Sequence, residues 1–158
     1  MIIRGALGSG KSTIAEDLAK KLNAKHISYD KILDEYNLTE DKEEGMISRK
    51  SFFTANKIAS LEAKKVIDKN PIIFDGNFYW KEQIEDLVNK LKYNHFIFTL
   101  KTDLNTCIKR DSKRKKSYGE DAVKAVYSAV NRFDYGIIID NNGKANEAVN
   151  EIINFILN

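Results

Sequence analysis

The sequence holds one cysteine, one proline, one tryptophan and two histidines in 158 residues. A lone Cys107 excludes an intrachain disulfide and a cysteine zinc cluster. His26 and His95 flank strand-like runs without metal-ligand spacing, so neither is assigned a function. Long apolar runs are absent, which argues against a membrane span. The first apolar residues already read as a strand, which argues against a secretory leader. The expectation is a cytoplasmic chain with no membrane partner. Arginine is scarce as well. Arg4, Arg49, Arg110, Arg114 and Arg132 stand among 26 basic residues, the rest being lysine. Lysine is ordinary surface charge, whereas the arginine fork suits phosphate, so each of the five poses a question. A formal charge of +3 is too mild to indicate nucleic acid by itself. No repeat, linker or low-complexity segment divides the chain. Its length suits one core, so residues 1–158 are expected to form a single domain.

What is present is concentrated near the start. Gly5 to Ser12 read G-A-L-G-S-G-K-S, a complete G-x-x-x-x-G-K-[S/T] phosphate-binding loop. Gly5, Gly8 and Gly10 let the backbone curl so that the N–H groups of Ala6, Leu7, Ser9 and their neighbours turn toward a phosphate. Lys11 places a cation on the β/γ-phosphates, and the Ser12 hydroxyl is a ligand for Mg²⁺. The apolar Met1-Ile2-Ile3 precedes the loop. From Thr13 onward the chain is helical, with Ile14, Leu18 and Leu22 on one face. A loop that leads into a helix N-terminus gains the macrodipole as a further attraction for an anion. This context predicts binding of a nucleoside triphosphate with Mg²⁺.

Four short, nearly continuous apolar runs read as buried parallel strands: 1–4, 72–75, 95–100 and 135–140. A weaker fifth is 24–28. Helical stretches lie at about 11–22, 50–69, 80–92, 103–113, 120–131 and 144–157. The alternation predicts an α/β protein, a three-layer α/β/α sandwich around a five-stranded parallel sheet. Ligands in such sheets bind at the carboxyl ends of the strands, so the residues there are the candidates for chemistry.

Asp75 ends the third strand of this sheet and is followed by Gly76. There it would hold Mg²⁺ beside the loop, or serve as an ordinary turn aspartate. Asp30 ends the second and is the candidate general base for an acceptor hydroxyl, with a helix N-cap as its other reading. Asp34 is the weaker substitute. Lys109 to Lys116 read K-R-D-S-K-R-K-K. Arg110 and Arg114 are four apart, and on one helical face the pair would stack on adenine and reach the phosphates. The run lacks the interleaved aromatics of a single-strand platform. Arg49 is either a grip for an anionic acceptor or surface. Phe78-Tyr79-Trp80 is either core or an apolar wall against the acceptor. Cys107 reads as a small buried apolar group.

Taken together these residues resemble the small P-loop kinases, a group that includes polynucleotide kinases, chloramphenicol phosphotransferase, gluconate and shikimate kinases, and adenylate kinase. The resemblance covers nearly the whole chain. Arg4 through Thr13 is similar to the R-G-x-P-G-S-G-K-S-T loop of one branch, with Leu7 in place of the proline. It implies that Asp30 is the base, that Asp75 stands at the metal, and that Arg110 and Arg114 open a short lid around 110–120. It also implies that the turn Asn141-Asn142-Gly143 contacts adenine. The departures concern the acceptor. The arginine that grips a monophosphate in adenylate kinases is missing near Asn77-Phe78-Tyr79-Trp80. Leu33 stands where polynucleotide kinases carry an arginine.

The expected function is ATP-dependent transfer of the γ-phosphate to a hydroxyl of a small molecule, a nucleoside or a polynucleotide end. The alternative is an ATP-binding sensor or nucleic-acid accessory protein with little transfer activity. Nucleic acid is permitted as a partner but not required, and the chain is expected to be a monomer or homodimer. A GTPase switch is disfavoured, since neither Asn56-Lys57 nor Asn89-Lys90 continues into the guanine motif.

Overall fold

The computed structural model describes residues 1–157. Strand β1 (Ile2–Arg4) leads through the glycine loop into α1 (Lys11–Leu22), then β2 (Lys25–Ser28) and α2 (Tyr29–Glu35). A hairpin of β3 (Lys42–Glu43) and β4 (Met46–Ile47) precedes α3 (Arg49–Lys64). Strand β5 (Ile72–Gly76), α4 (Lys81–Leu91), β6 (Ile97–Lys101), α5 (Leu104–Ser112), α6 (Glu120–Val130), β7 (Ile137–Asp140) and α7 (Ala145–Leu157) complete the chain. The sheet has the order β2-β5-β1-β6-β7 and every pairing in it is parallel. The expected five-stranded α/β/α architecture is the one observed.

Side chains alternate across the sheet, and that alternation builds the two outer layers. Ile2, Ile27, Phe74 and Ile97 face one core, closed by Leu33 of α2, Phe52 and Ala59 of α3, Ile84 of α4 and Val130 of α6. Ile3, Ile73, Phe98 and Ile139 face the other, closed by Ile14 and Leu18 of α1 and Val149 and Ile152 of α7. A third, small cluster of Ala6, Leu7, Cys107 and Val123 packs the glycine loop onto α5 and α6. Among the described residues no helix is long and apolar enough to cross a membrane.

The hairpin was not expected from the sequence. Its strands are two residues each, Lys42 opposite Ile47 and Glu43 opposite Met46. Such short, charged segments carry no alternation to read. The turn residues Glu44 (φ 53°) and Gly45 (φ 77°) both lie in the left-handed region, as a two-residue hairpin turn requires. Helix α3 is also shorter than expected, since the chain breaks into turns over residues 65–69.

Candidate active site

The phosphate-binding loop is held from behind by the elements that follow β6 and β7. Gly8 (φ 77°) lies against the Cys107 carbonyl, where a Cβ would come within 2.2 Å of the oxygen. The Ser9 carbonyl accepts from Asn141 Nδ2 at 2.6 Å and from Thr102 Oγ1 at 3.3 Å. Gly10 sits at the N-cap of α1 in the left-handed region with no side chain to cap the first turn. The helix therefore presents its first-turn amides to whatever anion enters the loop. Lys11 is buried, with Nζ 3.4 Å from the Ala6 carbonyl. The buried Ser9 Oγ has no hydrogen-bond partner. A loop leading into an uncapped helix start, with an inward lysine and an orphaned hydroxyl, is shaped for phosphate.

Asp75 is fully buried at the end of β5, beside Ser28 of β2 and Ile3 of β1. Ser12 Oγ donates to Asp75 Oδ2 at 2.7 Å, and His26 Nε2 lies 2.6 Å from Oδ1. Burial pushes the carboxyl pKa up. The bonds from His26 and Ser12, with the charge of Lys11, overcome it and leave the group below the usual aspartate value. An ionised carboxylate touching the loop serine would supply hard oxygen donors of the kind Mg²⁺ takes. Among the described residues no cluster of three or more His, Cys, Asp or Glu forms, and a magnesium site on phosphate does not need one.

His26 was given no role from the sequence. Its place is set by register, since β2 pairs with β5 and brings residue 26 to the pocket of Asp75. No spacing motif signals a contact made between strands. It positions the carboxylate, and such partners are typically worth about 10- to 100-fold in metal affinity or activity. His26→Ala is expected to weaken Mg²⁺ affinity in the presence of ATP by about tenfold, with His26→Gln restoring part of it. Mg²⁺ titration of each variant checks this. An unchanged affinity in His26→Ala would remove His26 from the site.

Asp30 lies in the first turn of α2. The N-cap position belongs to Ser28, so the helix begins earlier than expected and Asp30 is not its cap. Tyr29 locks this turn. Its hydroxyl donates to Asn56 Oδ1 at 2.6 Å, and its ring packs on Phe74 and Phe78. Asp30 and Asp34 project one turn apart into a cavity of about 300 Å³, with Leu7 of the phosphate loop on its wall. The hairpin residues Lys42, Met46 and Ile47, the turn residue Asn77, Tyr79, Tyr118 and one side of α6 close it. The cavity thus joins the acidic turn of α2 to the phosphate loop.

Arg49 fixes the hairpin rather than facing the cavity. Its side chain bonds Glu43 in two places and Glu82 at 3.3 Å, and stacks over Trp80 at 4.8 Å. Trp80 Nε1 donates to the Ile47 carbonyl at 2.9 Å. Phe78, Tyr79 and Trp80 are all buried, and of the three Tyr79 reaches the cavity wall.

The expected shared face of Arg110 and Arg114 is not formed. Helix α5 ends at Ser112, so Arg114 falls in the following turn, 3.9 Å from Asp111 Oδ1. Arg110 turns inward and donates to the carbonyls of Asn141 (2.9 Å) and Gly143 (3.1 Å). The turn 141–143 therefore lies against the phosphate loop with its carbonyls occupied by Arg110. Asn142 Oδ1 accepts from the Asp103 amide. Asp111 gathers the short lid, accepting from Ser117 Oγ and from the amides of Tyr118 and Gly119. Thr13 is exposed on α1.

A parallel sheet with a glycine loop opening α1, a serine–aspartate pair beside it and a cavity at the strand ends makes a P-loop α/β fold. The chain belongs to the AAA domain family, whose model matches residues 1–135. Solved structures agree on the architecture. A gluconokinase from Sinorhizobium meliloti 1021 superposes with a TM-score of 0.74 at 14% identity, covering 95% of this chain and 86% of that one. The APS kinase of Mycobacterium tuberculosis gives 0.72 at 16% identity, covering 99% and 96%. The tunicamycin resistance protein of Deinococcus radiodurans gives 0.69 at 16%, covering 98% and 94%. Comparison with curated proteins returns no match.

Proposed function

We propose that the protein is an ATP-dependent phosphotransferase that moves a γ-phosphate to a hydroxyl of a small molecule. The observation that carries this reading is the cavity. It opens on the phosphate loop at Leu7 and has Asp30 on its wall. A pure ATP sensor needs no second pocket with a carboxylate beside the phosphate site.

The loop amides and Lys11 hold the β/γ-phosphates. Ser12 and Asp75 hold Mg²⁺, which when bound neutralises charge on the phosphate oxygens. Asp30 accepts the proton of the acceptor hydroxyl as it attacks. Arg110 ties the 141–143 turn to the loop and so shapes the base-binding side. Arg114 contributes charge from the lid. Catalysis is positioning plus charge stabilisation, because the transferred group needs no covalent partner on the protein.

The test is transfer of labelled γ-phosphate from Mg·ATP to a panel of hydroxyl acceptors, with Lys11→Ala as control. Labelled product that vanishes in the control supports the reading. ATP binding without transfer to any acceptor would favour the sensor reading instead.

A further inference from the structure

Resting on the phosphotransferase reading, we infer that the acceptor is a non-anionic hydroxyl compound rich in hydrogen-bond donors, an amino sugar or a nucleoside in chemical class, anchored by Asp34 while Asp30 takes its hydroxyl proton.

The charge of the cavity carries this. Among its lining residues the ionisable carboxylates are Asp30 and Asp34, and the only cation is Lys42. A carboxylate or phosphate on the acceptor would enter a negative field with one exposed lysine to oppose it. Such groups are ordinarily recognised by arginine forks, and all five arginines are placed elsewhere. Arg4 is buried under the sheet and Arg49 is held by Glu43 and Glu82. Arg110 is bonded to the 141–143 turn, Arg114 lies beside Asp111, and Arg132 is paired with Glu44. None lines the cavity.

The acceptors on the wall ask for donors. Two carboxylates accept only, and Asn77 Oδ1 is buried at the cavity turn without a partner. Both carboxylates act on the lid. Tyr118 has its phenol pKa raised, by burial first and then by Asp30 and Asp34. Apart from Thr39 and Gly45, the rest of the wall is apolar, with Leu33, Met46, Ile47 and Val126 its largest side chains. Apolar walls around a few placed acceptors suit one ring with donor substituents. Tyr79 and Tyr118 add aromatic surface for such a ring or for an ammonium group.

The experiment measures both binding and transfer. Glucosamine, glucose and uridine are titrated against gluconate, glucuronate and uridine monophosphate, using the protein loaded with Mg²⁺ and a non-hydrolysable ATP analogue. The same six are then assayed with Mg·ATP, for wild type and Asp34→Asn. Expected is binding of non-anionic probes alone, with Asp34→Asn raising the Kd and KM of those that bind by about tenfold and leaving kcat nearly unchanged. Binding of non-anionic probes without any transfer would uphold the acceptor class and overturn the phosphotransferase reading. Transfer to the anionic probes alone would do the reverse. If no non-anionic probe binds at millimolar concentration, or if Asp34→Asn leaves Kd and KM unchanged, the inference is overturned.

Discussion

Asp30→Asn is expected to lower kcat by about two to four orders of magnitude while ATP affinity stays at the wild-type level. A positioned general base contributes roughly 10²–10⁴-fold to such a step, and asparagine keeps the shape of the side chain while losing its ability to take a proton. The structure separates the two readouts. Asp30 stands on α2 on the wall of the cavity proposed for the acceptor, whereas the proposed phosphate site is the glycine loop and the start of α1. The turn that carries Asp30 is fixed by Tyr29 and Asn56, not by Asp30 itself, so the substitution leaves its scaffold intact. Steady-state kinetics with the acceptor found in the transfer assay, beside calorimetric titration of ATP, checks both halves. Turnover close to wild type would remove Asp30 as the base. A parallel loss of ATP affinity would mean that it acts on the nucleotide side.

How far this site was legible depended on the kind of signal each residue carries. The glycine loop is local, so its motif and its strand-to-helix context identify Gly5 through Ser12 without tertiary information. Asp30 and Asp75 follow from position, because a parallel sheet collects its strand ends on one edge. Three features depend on pairings between distant segments, which no spacing reveals. His26 reaches Asp75 only through the register of β2 on β5. The hairpin stands because Arg49 at the start of α3 and Trp80 just before α4 pin it. The fate of Arg110 and Arg114 turned on where α5 ends, and boundaries are the weakest part of a reading from periodicity. The lid run of lysines and arginines looked uniform in sequence. In the structure one arginine is an internal tie and the other faces solvent.

Arg4 is the residue that the sequence left most open, and its replacement is expected to produce the largest loss of stability. Alternation along β1 sends Ile2 and Arg4 to the same face, and the side chain is fully buried there. Its Nε donates to the Phe78 carbonyl at 3.3 Å, Nη2 to Val130 at 2.8 Å, and Nη1 to Phe133 at 3.3 Å and Thr99 Oγ1 at 3.1 Å. The guanidinium also lies 4.4 Å over the Phe133 ring. Burial pulls its pKa down to about 10, with Asp134 opposing, so it stays charged at neutral pH. Arg4→Leu removes the donor from three carbonyls at once. With the bond to Thr99 Oγ1 four bonds are lost, and at about 1 kcal/mol for each the expected destabilisation is about 4 kcal/mol. In a domain of this size that corresponds to a fall in Tm of about 10 °C. Arg4→Lys keeps the charge but not the fork, and should recover only part of the loss. The effect extends to the acceptor cavity. Phe78 sits in the left-handed region at φ 46°, a costly conformation for an aromatic residue, and its carbonyl is one of the three. Without Arg4 the turn carrying Asn77 is free to relax, so acceptor KM should rise more than the KM for ATP. Thermal and urea denaturation of Arg4→Leu and Arg4→Lys, with KM measured well below the lowered Tm, tests both parts. If Arg4→Leu melted within a degree or two of wild type, the buried guanidinium would not be what joins β1, β6, α6 and the acceptor turn.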